Sequence, residues 1–138
     1  MIVVVAPGQG SQTPGFLAPW LEDATVRDRV GAWSEAIGVD LAAHGTESDA
    51  ETIKDTALAQ PLIVAAGLIT ADALLADGRR ALVGGVAGHS VGEFTAAGVA
   101  GILEPTAPGA PVAAPRRGGA AAPARAPPGG GPRRGGGG

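Results

Sequence analysis

The period of apolar and polar positions changes several times along the first hundred residues, and each change predicts an element. Residues 2–6, IVVVA, are a β-branched run closed by Pro7 and Gly8, which predicts a short buried strand. PGQGSQTPG (7–15) holds too many glycines and prolines for regular structure and predicts a loop. In ATVRDRVGAWSEAI (24–37), Val26, Val30 and Trp33 recur at helical spacing with charges between them, so an amphipathic helix is expected. Residues 49–77 predict helix with an interruption at Pro61, which has no N–H to donate and opens a new helix or kinks an old one. Beyond it Leu62, Ala65, Ala66, Ile69, Ala73 and Leu74 sustain a helical stripe, and Gly78 marks its stop. ALVGGVAG (81–88) is apolar on both faces and predicts a strand buried beneath helices. VGEFTAAGVAGIL (91–103) suits a helix.

The order strand, loop, helices, strand, serine, helix is an α/β pattern with a parallel sheet. Its sharpest feature is GHSVGE (88–93), a G-x-S-x-G segment between a predicted strand and a predicted helix. A chain that turns so tightly holds the serine in a strained conformation with its hydroxyl exposed, and Gly88 and Gly92 keep side chains out of the crowded space. Ser90 is therefore the candidate nucleophile. It would sit at a helix N-terminus, where free N–H groups favour developing negative charge, with the N–H of Val91 as one oxyanion donor. The plain alternative is that Ser90 only caps a helix. Two neighbouring parallel strands would bring PGQGSQ (7–12) to the same sheet edge, where Gln9 offers a second backbone N–H. That loop has neither the lysine nor the G-x-G-x-x-G spacing of a phosphate-binding loop. His89 adjoins Ser90, but neighbouring side chains at a sharp turn diverge, so it is expected to hold the turn or line the pocket. His44 is expected in an exposed polar loop, and Glu93 on the helix after the elbow.

Composition divides the chain. Residues 106–138 contain only Thr, Ala, Pro, Gly, Val and Arg. Five of the ten basic residues lie there (Arg116, Arg117, Arg125, Arg133, Arg134), so five face thirteen acids in the body, a formal −8 within a total of −3. Such a tail has too little apolar area to order itself and is expected to be disordered. There is no cysteine, hence no disulfide or thiol chemistry. The N-terminal apolar run has no basic region before it, and LIVAAGLITA (62–71) falls short of the ~20 residues that span a bilayer. A cytoplasmic protein without nucleic-acid or membrane partners is the simplest expectation.

PGQGSQ near the start, AQPLI at 59–63, and GHSVGE followed by AAGVAGIL occur in an order and spacing that resembles the N-terminal third of malonyl-CoA:acyl carrier protein transacylases, over residues 1 to about 105. The resemblance implies Ser90 as the acylated nucleophile, Gln9 and Val91 as oxyanion-hole donors, and Gln60 near the active site. It implies malonyl transfer from coenzyme A to Ser90 and then to the pantetheine thiol of acyl carrier protein, with no metal or cofactor and malonyl-CoA as substrate. Covalent catalysis suits two thioesters that bind in turn.

In that family a histidine far downstream activates the serine, and an arginine on a helix after the elbow pairs with the malonyl carboxylate. No histidine follows His89 here, and the helix expected near 106 is replaced by the Ala/Pro/Gly/Arg stretch. Arg116 and Arg117 lie at about the right distance, in a segment too rich in Gly and Pro for that helix. Ala, Pro, Gly and Arg have GC-dominated codons, so the stretch reads as a frameshift product, the alternative being a basic disordered tail that touches nucleic acid or anionic surfaces. The expected organisation is residues 1–105 as part of an acyltransferase domain, an α/β unit with an incomplete parallel sheet, flanking helices and a nucleophile elbow, truncated and inactive as it stands, then the tail at 106–138. An α/β-hydrolase-type serine esterase and a non-enzymatic fragment or binding module are the competing readings.

Overall fold

In the computed structural model residues 1–104 and 112–113 are described. The architecture is α/β. Strand β1 (Ile2–Ala6) and strand β2 (Val83–Gly88) pair in parallel, in a register that runs to Ala6 opposite Gly88. Four helices accompany them: α1 (Ala24–Ile37), α2 (Leu41–Thr46), α3 (Thr56–Leu74) and α4 (Gly92–Val99). Two-residue strands β3 (Leu103–Glu104) and β4 (Val112–Ala113) form a separate antiparallel pair. Apart from 112–113, the expected tail lies outside the described residues.

Aspartates start three of the helices by accepting orphan backbone N–H groups: Asp23 from Thr25 and Val26, Asp40 from Ala43, and Asp55 from Ala57. Gly38, at φ 71°, closes α1 in the left-handed region. As expected, Val30 and Trp33 are buried and Val26 packs against the core. Helix α3 runs through the centre, and Leu62, Ile63, Val64, Ala65, Leu68 and Ile69 are all buried, so this segment is apolar around its whole circumference.

Several expectations are corrected. Helix α3 begins at Thr56 under its Asp55 cap, and Pro61 lies inside it. It ends at Leu74, short of Gly78; Ala73 and Leu74 are exposed, whereas Ala71 and Leu75 are buried against Val99. At 19 residues α3 is long and apolar enough to cross a membrane by length and composition alone, but half of it is buried against the protein. His44 lies on α2 rather than in a loop, half-buried, with Nδ1 2.9 Å from Ser48 Oγ. The strands are not buried on both faces. Val4, Val83 and Val86 pack inward on Ala71, Leu75 and Val99, whereas Val3 and Val5 are 55% and 71% exposed. The described helices cover one face of the sheet only.

Helices α3 and α4 cross closely, because a Cβ at Gly67 would fall 2.6 Å from the Thr95 methyl. Thr95 is 2% exposed, and its hydroxyl has no hydrogen-bond partner among the described residues. An unpaired buried hydroxyl costs about 1–3 kcal/mol, so Thr95→Val should raise stability by about 1 kcal/mol. A urea midpoint moved upward at constant slope is the expected result; a lower midpoint would show that the hydroxyl has a partner.

Candidate active site

The site forms where the parallel strands end side by side. The N–H of His89 donates to the Ala6 carbonyl at 3.1 Å, extending the β1–β2 pairing by one bond. The chain then turns at Ser90, which has a φ of 55°. A non-glycine residue pays about 1–2 kcal/mol in this left-handed region. The N–H groups of Gly92, Glu93 and Phe94 donate to His89, Ser90 and Val91 at 3.0–3.1 Å and start α4. Val91 is 5% exposed and anchors the turn in the core, which leaves Ser90 outward and exposed.

The glycines of the motif sit where no side chain fits. A Cβ at Gly88 would lie 2.3 Å from the Gly92 carbonyl carbon, and one at Gly92 would lie 2.4 Å from the Ala6 oxygen. These neighbours are backbone atoms and cannot swing aside. The loop after β1 presses on the same turn, with a Cβ at Gly8 falling 2.8 Å from both the His89 oxygen and its Nδ1. Adjacent parallel strands thus bring PGQGSQ and GHSVGE together, as the sequence implied.

Side chains pin the first loop from the far side. Gln9 Nε2 donates to the Lys54 carbonyl at 3.3 Å and to Thr56 Oγ1 at 3.2 Å. Gln12 accepts the Gly10 N–H at 2.8 Å through Oε1 and donates to the Ile53 carbonyl at 3.1 Å through Nε2. Ser11 Oγ donates to the Gly8 carbonyl at 2.9 Å. Sequence reasoning missed Gln12 and Thr56, and the second glutamine of PGQGSQ was the available signal. The segment they grip is itself braced by Asp49, whose carboxyl is held below the ordinary carboxylate range, first by the Thr52 N–H at 2.8 Å and then by the Thr52 hydroxyl. That contribution is present above the ordinary carboxylate pKa and is lost as pH falls through the depressed value.

Among the described residues, the backbone N–H groups of Gln9 and Val91 have no hydrogen-bond partner, and neither does the Ser90 hydroxyl. The His89 ring is exposed and makes no hydrogen bond to Ser90. Glu93 is exposed in the first turn of α4. Gln60 is exposed one turn beyond Thr56 on α3. No three His, Asp or Glu side chains converge as a metal site among the described residues. The arrangement presents a strained, exposed hydroxyl with two unpaired N–H groups on the loops that flank it.

No family profile matches the chain. Over 107 residues, 75% of this chain and 34% of the relative, it is 50% identical to the Malonyl CoA-acyl carrier protein transacylase of Mycobacterium tuberculosis. The crystal structure of MCAT from Mycobacterium tuberculosis superposes with a TM-score of 0.70 at 50% identity, over 75% of this chain and 35% of that one. A type II PKS acyl-carrier protein in complex with its malonyl-transacylase matches with a TM-score of 0.66 at 32% identity, over 74% of this chain and 33% of that one. The chain spans about a third of the length of the curated relatives it matches.

Proposed function

From this likeness to a third of malonyl CoA-acyl carrier protein transacylases, we propose that residues 1–104 form the nucleophile-bearing part of an acyltransferase of that kind. The observation that carries the reading is Ser90, held at φ 55° and exposed between β2 and α4, beside the unpaired N–H groups of Gln9 and Val91. Ser90 Oγ attacks the thioester carbonyl of malonyl-CoA and gives up its proton to a base. The carbonyl oxygen takes negative charge as the tetrahedral intermediate forms, and the two N–H groups receive it. Collapse expels coenzyme A, whose leaving thiolate takes the proton back from the base, and leaves a malonyl ester on Ser90. The pantetheine thiol of an acyl carrier protein then attacks the ester, its proton passing to the same base, and Ser90 recovers a proton as it leaves. Each donor removed from an oxyanion hole costs about 10²–10³-fold in rate.

The described residues hold no base against Ser90 Oγ, so the base comes from outside them. A positioned base contributes about 10²–10⁴-fold, and transfer by this chain alone should fall below that of a full-length relative by at least that factor. The deciding experiment joins residues 1–104 to the remaining part of the Mycobacterium tuberculosis relative and follows radiolabelled malonyl from coenzyme A to acyl carrier protein. Label passing through a seryl ester on the peptide that contains Ser90 is the expected result. Label released as free malonate, with none on the carrier thiol, would indicate a hydrolase instead.

A further inference from the structure

We propose that Thr56 and Gln12 are positioning residues. Through the side chain of Gln9 and the N–H of Gly10 they hold the loop after β1 in a fixed place beside Ser90, and with it the Gln9 N–H that receives the oxyanion. The clamp itself stands on geometry; its part in acyl transfer rests on the acyltransferase reading.

Packing does not hold this loop. No residue between Ala6 and Leu17 is buried, and Gly10 sits at φ 105°, a conformation glycine adopts at no steric cost. Ordering so loose a stretch loses backbone entropy that specific bonds must offset. Hydrogen bonds supply them. Gln9 Nε2 donates to the Lys54 carbonyl at 3.3 Å and to Thr56 Oγ1 at 3.2 Å. Gln12 accepts from the Gly10 N–H at 2.8 Å and donates to the Ile53 carbonyl at 3.1 Å, so it ties the tip of the loop to the same segment.

That segment is a firm anchor. Ile53 is 2% exposed, its N–H donates to the Asp49 carbonyl at 3.2 Å, and Thr56 opens α3 under the Asp55 cap. On its other side the loop rests against the elbow, where a Cβ at Gly8 would fall 2.8 Å from the His89 oxygen. The loop is gripped between two bodies, and the grip sets where the Gln9 N–H lies relative to Ser90. Lys54 and Ile53 offer main-chain carbonyls, which no substitution removes. Thr56 alone offers a side-chain acceptor, and it is exposed, so a merely structural role for its hydroxyl would leave both stability and rate unchanged on its loss. An oxyanion donor acts on charge that develops in the transition state, so a displaced donor lowers kcat and spares KM.

The kinetic test uses the fusion of residues 1–104 with the remaining part of the Mycobacterium tuberculosis relative. Thr56→Val keeps the shape and removes the acceptor. It should lower kcat for malonyl transfer by about tenfold, less than the loss of a whole donor, with KM within about twofold and the urea midpoint unchanged. Thr56→Ser keeps the hydroxyl and should return kcat to within about twofold of the parent. Gln9→Met retains the N–H but lacks the amide that Thr56 holds, so adding Thr56→Val to it should cost nothing further. Unchanged kcat in Thr56→Val, a loss that Thr56→Ser does not restore, a rise in KM in place of a fall in kcat, or effects of Gln9→Met and Thr56→Val that multiply would each overturn the proposal. A second measurement needs no turnover. In the full 138-residue chain Thr56→Val should speed amide exchange at Gly10 by about fivefold or more, while the amides of β2 and α3 keep their rates. Equal exchange at Gly10 with and without the Thr56 hydroxyl would overturn the clamp. A parent fusion that transfers nothing would count against the acyltransferase reading, and exchange at Gly10 would then decide the clamp by itself.

Discussion

Replacing Ser90 by Ala in the fusion of residues 1–104 with the rest of a transacylase should lower malonyl transfer by ~10⁴-fold or more, the usual scale for removal of a nucleophile. The fold should survive, because Ser90 is exposed and its hydroxyl bonds to nothing among the described residues. Ser90→Gly separates the chemistry from the strain. It should be equally inactive, yet at least as stable as the parent, since glycine adopts φ 55° without the penalty a side chain brings. Steady-state transfer to acyl carrier protein, with urea unfolding of the same variants, reads both effects. Full activity with Ala at 90 would remove Ser90 from the mechanism. A loss of stability on Ser90→Gly would show that the serine holds the turn rather than being held in it.

The largest effect on stability is expected at the two glycines of the elbow. Overpacking into a well-filled site costs about 1–3 kcal/mol even where neighbours can adjust. Here the obstacles are backbone atoms at 2.3 Å for Gly88 and 2.4 Å for Gly92. Moving them would break the His89 to Ala6 bond that joins the elbow to β1. Gly88→Ala and Gly92→Ala should each destabilise by at least about 3 kcal/mol and abolish labelling of Ser90. Gly31, in the exposed middle of α1, has open space within 4 Å of the position a Cβ would take. There Ala should stabilise by about 0.5–1 kcal/mol through helix propensity alone. Chemical denaturation of the three variants makes the comparison. Equal effects at Gly88, Gly92 and Gly31 would mean that the elbow is not closely packed.

Residue order by itself determined the α/β pattern, the amphipathic helix 24–37, and the pairing of PGQGSQ with GHSVGE. These follow from local physics. Run length and β-branching mark the strands, apolar spacing marks the helix, and two parallel strand ends must carry their following loops to one edge. Tertiary packing decided the rest. Helix α3 stops at Leu74, before the glycine at 78, and Leu75 just beyond it is still buried against Val99 and the inward-facing valines of the sheet. Burial of β1 failed because burial depends on what lies across the sheet, and among the described residues one face meets helices while Val3 and Val5 meet none. The anchoring of Gln9 and Gln12 on residues 53–56 was also beyond reach, since it joins positions more than forty residues apart that come together only when α3 docks beside the sheet. The GHSVGE motif named the residue that turns. The left-handed φ at Ser90 exists because Val91 is buried in the core and Gly92 is pressed against β1, so the two directions of chain entry leave no other path.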